Sequence, residues 1–449
     1  MITVMMLACH ERQMVEMAVQ SFRLLGDMDI SFVIVDKGSG EKLKEWASEQ
    51  TDLTYVLIEE ECASWGKAIN MTKRELHIET DLLIMEDKYM LTPQCLRRLE
   101  EALHAEKEIG GVCGVFSEDE SYEKAVREAG EKRSRKNERT MALHYGAVLW
   151  KKVAMEEVGE FEEDVESLFM VVKDYCLRMI KADKPLQICP GAVFWNMGDE
   201  KEVVFGEQWE EETLERKWGM HYFNNHYNER IISLLEAEPE ERIVVLEIGC
   251  DCGATLLEIK NRYPKAEVYG TEINEQAALI ASRFAQVAVN NIEDKNLPFD
   301  REMFDYIIFG DVLEHLHDPE ETIKYCKDYL REEGVIIASV PNVMHISVME
   351  QLMRGDFTYM EAGLLDRTHI HFFTCNEIIR TLYRAGYEIG CMDRVEFPIS
   401  DRQKYLIDSL LAIDCTAQRF MYETFQYVIK AKKLAGPRQQ DERKVILWK

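Results

Sequence analysis

The sequence predicts an α/β protein built as two successive halves, and three observations carry that reading. Short apolar runs alternate with longer amphipathic stretches along most of the 449 residues, the pattern of strand–helix units around a mainly parallel sheet. The alternation breaks once, between Glu200 and Glu241, where the chain turns strongly acidic and aromatic. It then resumes with an apolar strand that runs straight into a loop bearing Gly249 and Gly253. Domains cluster at roughly 100–200 residues, so this length alone favours two or three of them.

In the first half, apolar runs at 3–8, 31–35, 54–58, 81–85, 111–116 and 191–195 read as strands, with helical periodicity at 13–25, 67–77 and 93–106. Residues 117–140 are mostly charged and are expected to form a mobile surface loop or helix, with a substrate lid as the sharper alternative. The stretch with Trp209, Trp218, Tyr222, Phe223 and Tyr227 reads as a helical joint. This places a first domain at 1–200, the joint at 201–235, a second domain at 236–434 and a polar, fraying tail at 435–449. In the second domain strands are expected at 243–248, 267–271, 287–290, 306–310, 335–340, 387–395 and 425–432, with a helix over 401–418.

Lys and Arg number 54 against 83 Asp and Glu, a formal charge of −29. Phosphate repels such a surface, so broad nucleic-acid binding is disfavoured, as is an anionic membrane face. The 12 cysteines are scattered without a C-x-x-C pair, and no metal site is expected from them. No segment approaches the ~20 apolar residues of a membrane helix, and the opening apolar run reads as a buried strand rather than a leader. The expectation is a reduced, cytoplasmic protein with a small-molecule or glycan substrate, no nucleic-acid partner and no integral membrane segment. Its oligomeric state is left open.

Chemistry concentrates first at Val244–Leu256, an apolar strand, a glycine-bearing turn and a helix start. Gly249 and Gly253 let backbone approach a ligand beside a helix N-terminus. The next strand ends in Glu272, where a carboxylate can accept two hydrogen bonds from a ribose diol. A third strand leads to Asn291, whose amide could meet an adenine edge, and a fourth runs into Asp311-Val312-Leu313-Glu314-His315.

With those four features in order, residues from about 222 to 434 resemble a class I S-adenosylmethionine-dependent methyltransferase. The resemblance implies a Rossmann-like seven-stranded fold closed by a reversed terminal hairpin. It implies S-adenosylmethionine as cofactor, held around Glu247, Gly249, Cys250, Asp251, Gly253, Glu272, Ile273, Asn291, Ile292, Asp311 and Val312. Asp251 departs from the pattern, which usually has a small residue there. Facing a positive sulfonium or amino group it would attract, facing the carboxylate tail it would repel, and pointing to solvent it would cap the next helix. An NAD-type dehydrogenase is the structural rival; the single Gly-x-x-x-Gly spacing and Asp311–His315 favour the methyl donor.

A methyltransferase aligns its acceptor and, for a hydroxyl, removes a proton. Candidate groups lie at Pro341–His345 and at Gly363–Phe373, the latter resembling a segment of the ubiquinone-biosynthesis-like methyltransferases. His371, His345 and Asp366 are the expected contacts or bases. His369 and His371 alternate, so on an extended segment they share a face, but no third ligand stands nearby in sequence to complete a metal site.

Residues 1 to about 200 resemble a family 2 glycosyltransferase of the GT-A, nucleotide-diphospho-sugar transferase fold. The matches are Ala8-Cys9-His10-Glu11, Val35-Asp36-Lys37-Gly38-Ser39, Trp65 to Asn70, Glu86-Asp87-Lys88, and Val148 through Phe161. The resemblance implies a nucleotide-sugar near Asp36, Asn70, Glu86 and Asp87. Three departures alter the implied chemistry. Lys88 replaces a metal-holding carboxylate, the family's Glu-Asp pair falls on Val171-Val172, and its histidine falls near Phe194-Trp195-Asn196. Asp174 or Asp164 would have to substitute as base.

Together these expectations describe a methyltransferase that O-methylates a sugar or glycoconjugate in bacterial surface polysaccharide synthesis, with the first domain binding substrate. A bifunctional enzyme with both domains active, and a non-catalytic scaffold, stand as alternatives.

Overall fold

The computed structural model describes residues 1–25, 28–38, 40–58, 64–119, 121–198, 206–220 and 225–434. Ser39, Tyr222, Phe223 and the tail from 435 lie outside them. Contacts divide the chain into two compact units, Met1–Asn225 and His226–Lys449. Among the described residues no helix is long and apolar enough to cross a membrane, and none of the described cysteines forms a disulfide.

The first unit is built on β1 (Ile2–Ala8), β2 (Ile30–Asp36), β3 (Thr54–Leu57), β4 (Asp81–Glu86), β5 (Tyr89–Leu91), β6 (Gly111–Ser117), β7 (Glu138–Thr140), β8 (Ala147–Trp150) and β9 (Leu186–Asn196). They form one sheet in the order β3-β2-β1-β4-β8-β6-β9-β5, with β7 added to β9. β1 to β4 run parallel, and β8 is antiparallel to both its neighbours. Every residue of β1 is buried, which is why it reads as one unbroken apolar run. In register, Ala8 lies beside Asp36 and Leu7 beside Glu86, so three strand ends open on one edge.

The charged stretch at 117–140 resolves into a helix, Tyr122–Glu131, and β7. Ala125 and Ala129 are buried, so this helix is folded against the sheet on its small residues.

The acidic segment expected as a joint contributes a helix, Gln208–Trp218, that is fastened to the first unit. Glu210 is 2% exposed. Its Oε1 accepts the backbone N–H of Glu166 and of Ser167, each at 2.8 Å, and its Oε2 that of Glu207 at 2.9 Å. At the other end the buried Asp174 carboxylate accepts from Trp218 Nε1 at 2.9 Å, pairs with Lys217 at 2.8 Å, and takes Arg178 Nε at 2.8 Å. Sequence spacing could not show this, because the partners sit 43 or 44 positions away.

The second unit comprises β10 (Val244–Ile248), β11 (Glu267–Glu272), β12 (Gln286–Val289), β13 (Phe304–Gly310), β14 (Leu330–Pro341), β15 (Tyr387–Glu396) and β16 (Thr424–Lys433). Their order is β12-β11-β10-β13-β14-β16-β15. The first five are parallel, and β16 enters antiparallel between β14 and β15. This is the reversed terminal hairpin expected from the sequence. Leu246, Ile248 and Phe309 pack on one face, and Val245, Ile308 and Val428 on the other. The strand order reverses between β10 and β13, and open α/β sheets bind ligands outside the carboxyl ends at such a point.

Asp174→Ala leaves Arg178, Lys217 and Trp218 Nε1 without their shared acceptor. It should destabilise the first unit by about 3 kcal/mol, against a smaller loss in Asp174→Asn, with urea unfolding as the measurement.

Candidate active site

At the switch point the chain leaves β10 in a tight loop. The N–H groups of Gly249 and Cys250 both donate to the Thr271 carbonyl, at 2.8 and 3.0 Å, which bends the loop over the end of β11. Gly249 has φ 66°, and a Cβ there would lie 2.8 Å from Val312 Cγ2, so only glycine fits. Gly253, at φ 86°, precedes the helix Ala254–Arg262. The expected cofactor residues Glu247, Gly249, Cys250, Asp251 and Gly253 thus share this turn, with Val312 packed against it from the end of β13.

Glu272 ends β11 and is fixed by two backbone donors. Asp251 N–H reaches Oε2 at 2.9 Å and Asn274 N–H reaches Oε1 at 2.8 Å. Each carboxylate oxygen keeps a second lone pair for a diol. Ile273 follows with its side chain 69% exposed. Asn291 Oδ1 accepts Glu293 N–H at 3.0 Å to cap a short turn, and Ile292 behind it is buried. Asp311, at φ 55°, is held through Oδ1 by Ser339 Oγ at 3.0 Å and Gln426 Nε2 at 2.5 Å.

Three carboxylates crowd this corner. Burial pushes Glu247 up to about 8, with the Asp251 and Glu272 charges adding and the Thr255 hydroxyl opposing. Burial and then the Glu272 charge push Asp251 up to about 6, against hydrogen bonds from Cys252. Glu247 is buried, yet its Oε2 has no hydrogen-bond partner. An orphaned carboxylate oxygen beside a glycine turn and a ribose-competent Glu272 fits a nucleoside that carries positive charge.

Beyond β14 the acceptor-side residues separate into two sets. His345 and His369 keep buried ring nitrogens without partners, Nε2 and Nδ1 respectively. Burial lowers the pKa of His345; burial and then the neighbouring His315 lower that of His369. His345 Nδ1 is engaged with Ser347 at the start of the helix Ile346–Met353. Asp366 and His371 are otherwise occupied. Burial works to raise the Asp366 pKa, but hydrogen bonds from Thr368 bring it below the ordinary carboxylate value, which makes it a weaker base. His371 Nε2 lies 3.1 Å from the His317 carbonyl.

The shared face expected for His369 and His371 is not formed. His369 turns to Glu314 instead, 4.0 Å away, and its ring meets that of His315 at 4.9 Å. Glu314, His315 and His369 place ligand atoms within 4.8 Å of one another, close enough for one cation to bridge. His371 is not part of this group, so the pair considered from the sequence is replaced by a different set of residues. Backbone does the folding: Ile370 and His371 N–H both donate to the Glu314 carbonyl, at 2.9 and 3.0 Å.

In the first unit Asp36 and Glu86–Asp87 stand at the open ends of β2 and β4, on either side of β1, while Asn70 is placed elsewhere. Asn70 is buried, with its amide spent on both backbone groups of Phe161 and on Glu163. Asp36 accepts from Gly38 N–H at 2.8 Å and Tyr55 OH at 2.7 Å. Asp87 is bound by the N–H groups of Cys9 and His10, and by the His10 ring at 2.6 Å. Lys88 sits 3.2 Å from Glu86, an ion pair in place of two carboxylates. Val171 and Val172 are core residues of the helix Leu168–Lys181. Asp174 is corrected as a substitute base, since three donors enclose it; Asp164 is exposed on a turn closed by Glu162.

The strand order, the glycine turn at the switch point and the fixed Glu272 define the second unit as a class I S-adenosylmethionine-dependent methyltransferase domain. Comparison with known proteins agrees, because residues 220–391 match the family model of the methyltransferase domain. The malonyl-[acyl-carrier protein] O-methyltransferase of Geobacter sulfurreducens is 27% identical over 176 residues, covering 38% of this chain and 66% of that protein. A ubiquinone biosynthesis O-methyltransferase of Glaesserella parasuis is 32% identical over 108 residues, covering 22% of this chain and 45% of that protein. The chain therefore spans less than two thirds of either relative. Among solved structures, a methyltransferase from Archaeoglobus fulgidus aligns at TM-score 0.33 and 18% identity, over 51% of this chain and all (100%) of that one. The 1,6-didemethyltoxoflavin-N1-methyltransferase of Burkholderia thailandensis aligns at TM-score 0.31 and 15% identity, over 46% and 78% of the two chains.

Glu247 makes the stability of this unit depend on pH. Its folded pKa of about 8 exceeds the ordinary 4.5, so the folded state keeps a proton that the unfolded chain has released. That contribution is complete below pH 4.5 and is lost as pH rises through about 8. Melting temperatures across this window should fall with rising pH, and Glu247→Gln should remove that part of the slope. Added S-adenosylmethionine should flatten it as well.

Proposed function

We propose that the protein is an S-adenosylmethionine-dependent O-methyltransferase acting on a sugar or glycoconjugate hydroxyl, with the first unit binding that acceptor or a nucleotide-sugar form of it. The single observation that supports the donor half is the corner of β10 and β11, where a glycine turn, a fixed Glu272 and the orphaned Glu247 oxygen meet. When bound, the cofactor supplies an electrophilic methyl group on a positively charged sulfur.

The chain's own residues do the rest. Glu272 holds the ribose diol, and the turn from Gly249 to Gly253 brings backbone against the ligand. Glu247 offers its open oxygen to a positive group. On the acceptor side His369 and His345 are the groups best suited to take a hydroxyl proton, since both are kept neutral and each has an unpartnered ring nitrogen. Glu314 lies 4.0 Å from the His369 ring, and its burial holds its carboxyl well above the usual carboxylate range. Asp366 and His371 then shape the loop over the cleft.

Both named relatives are O-methyltransferases, which supports oxygen as the methylated atom. The glycan reading is supported from the first unit, whose parallel strands end in Asp36, Glu86 and Asp87 as its glycosyltransferase-like motifs lead one to expect. The Lys88–Glu86 pair and the enclosed Asp174 favour binding over glycosyl transfer there, so the bifunctional reading is set below this one.

Calorimetry tests the donor half: Glu272→Ala should weaken S-adenosylmethionine binding about 10- to 100-fold, the worth of one hydrogen bond to a charged group. Absent binding by the wild type, or an unchanged affinity in the variant, would sink the proposal. For the acceptor half, labelled-methyl transfer should appear with a glycan extract and not with quinone precursors or acyl carriers. In that assay His369→Gln should lower kcat about 100-fold or more while cofactor affinity holds. Retained turnover would instead direct attention to His345.

A further inference from the structure

We infer that the Asp251 carboxylate makes the cofactor pocket discriminate by charge, favouring the positively charged methyl donor over the neutral-sulfur product left after transfer. The inference rests on the methyltransferase reading of this unit.

Asp251 occupies a position the turn does not need a side chain to build. Its φ is 46°, a left-handed conformation that glycine adopts without strain, between Gly249 and Gly253 at 66° and 86°. Backbone alone closes the loop, through Gly249 and Cys250 on Thr271 and through Gly253 N–H on the Cys250 carbonyl at 2.8 Å. The Asp251 N–H makes the bond to Glu272, and glycine would supply the same N–H. The carboxylate accepts hydrogen bonds from Cys252 within the turn, and its charge adds to the corner it shares with Glu247 and Glu272.

The groups that face it are Glu247 from β10, Glu272 from β11, and Cys250 and Cys252 from its own loop. None of these is cationic. Glu247 and Glu272 have other tasks, an open oxygen for the ligand's amino group and a grip on the ribose. Glu247 keeps its proton up to about 8, so Asp251 adds its charge to that of Glu272 in this corner, and a ligand with positive charge relieves the repulsion. In transfer, the acceptor oxygen forms its bond to the methyl carbon as the C–S electron pair returns to sulfur. The ligand loses one positive charge at that moment. Donor and product are otherwise alike in shape, so the extra carboxylate strengthens the hold on donor relative to product.

Calorimetry on the full chain with S-adenosylmethionine and with S-adenosylhomocysteine tests this at fixed pH and salt, in wild type, Asp251→Asn and Asp251→Gly. The ratio of the product Kd to the donor Kd should fall about five- to tenfold in both variants, the effect of one charge pair at a partly solvated site, with product affinity changed little. The glycine variant separates charge from loop strain. A ratio unchanged in both variants, or an equal loss of both ligands, would overturn the inference by making Asp251 a loop residue only. Failure of wild type to bind either ligand would instead overturn the methyltransferase reading on which it depends.

Discussion

Three carboxylates brought together by one carbonyl organise the second unit. Thr271 O accepts from both Gly249 and Cys250, and that pair of hydrogen bonds folds the loop so that Glu247, Asp251 and Glu272 share a corner. Ionised acids in such a place repel one another and lose hydration, which is why Glu247 and Asp251 hold their protons to about 8 and about 6. The free energy stored there is available to a cationic ligand and to nothing neutral. The parallel strands behind it, buried on both faces, keep the corner from relaxing.

The first unit uses buried acids differently. Glu210 accepts three backbone N–H groups, and Asp174 gathers Trp218, Lys217 and Arg178. Asp87 clamps the end of β1. Each is satisfied from within the chain, so each contributes to the fold rather than waiting for a ligand. The overall charge of −29 distinguishes none of these cases. Glu247 differs from these acids in keeping one buried oxygen without a donor.

Most of the strand–helix order was legible in the sequence because buried parallel strands are continuous apolar runs. β10 to β14 and the closing pair β15 and β16 fall where such runs stand, within a few residues. β5 and β7 did not show, being three residues each, too short to carry any period, and β8, at four, was not read as a strand either. The helix Gln208–Trp218 read as a helix but not as part of the first unit, since its anchors lie far back in the chain. In the candidate site, glycines at fixed spacing exposed the cofactor turn. The grouping of Glu314 with His369 stayed hidden because a loop of irregular backbone, not an extended strand, carries His369.

By itself the sequence determined that both halves are α/β, where the glycine turn of the second stands and which residue types stand beside it, because strand ends and glycine spacing are local properties. Tertiary structure alone decided which polar atoms remain without partners. It left Glu247 Oε2, His345 Nε2 and His369 Nδ1 open, and it enclosed Asp174 and Asn70. That choice depends on donors and acceptors delivered from distant segments, and no local pattern encodes a hydrogen bond that closes across 44 or 91 positions.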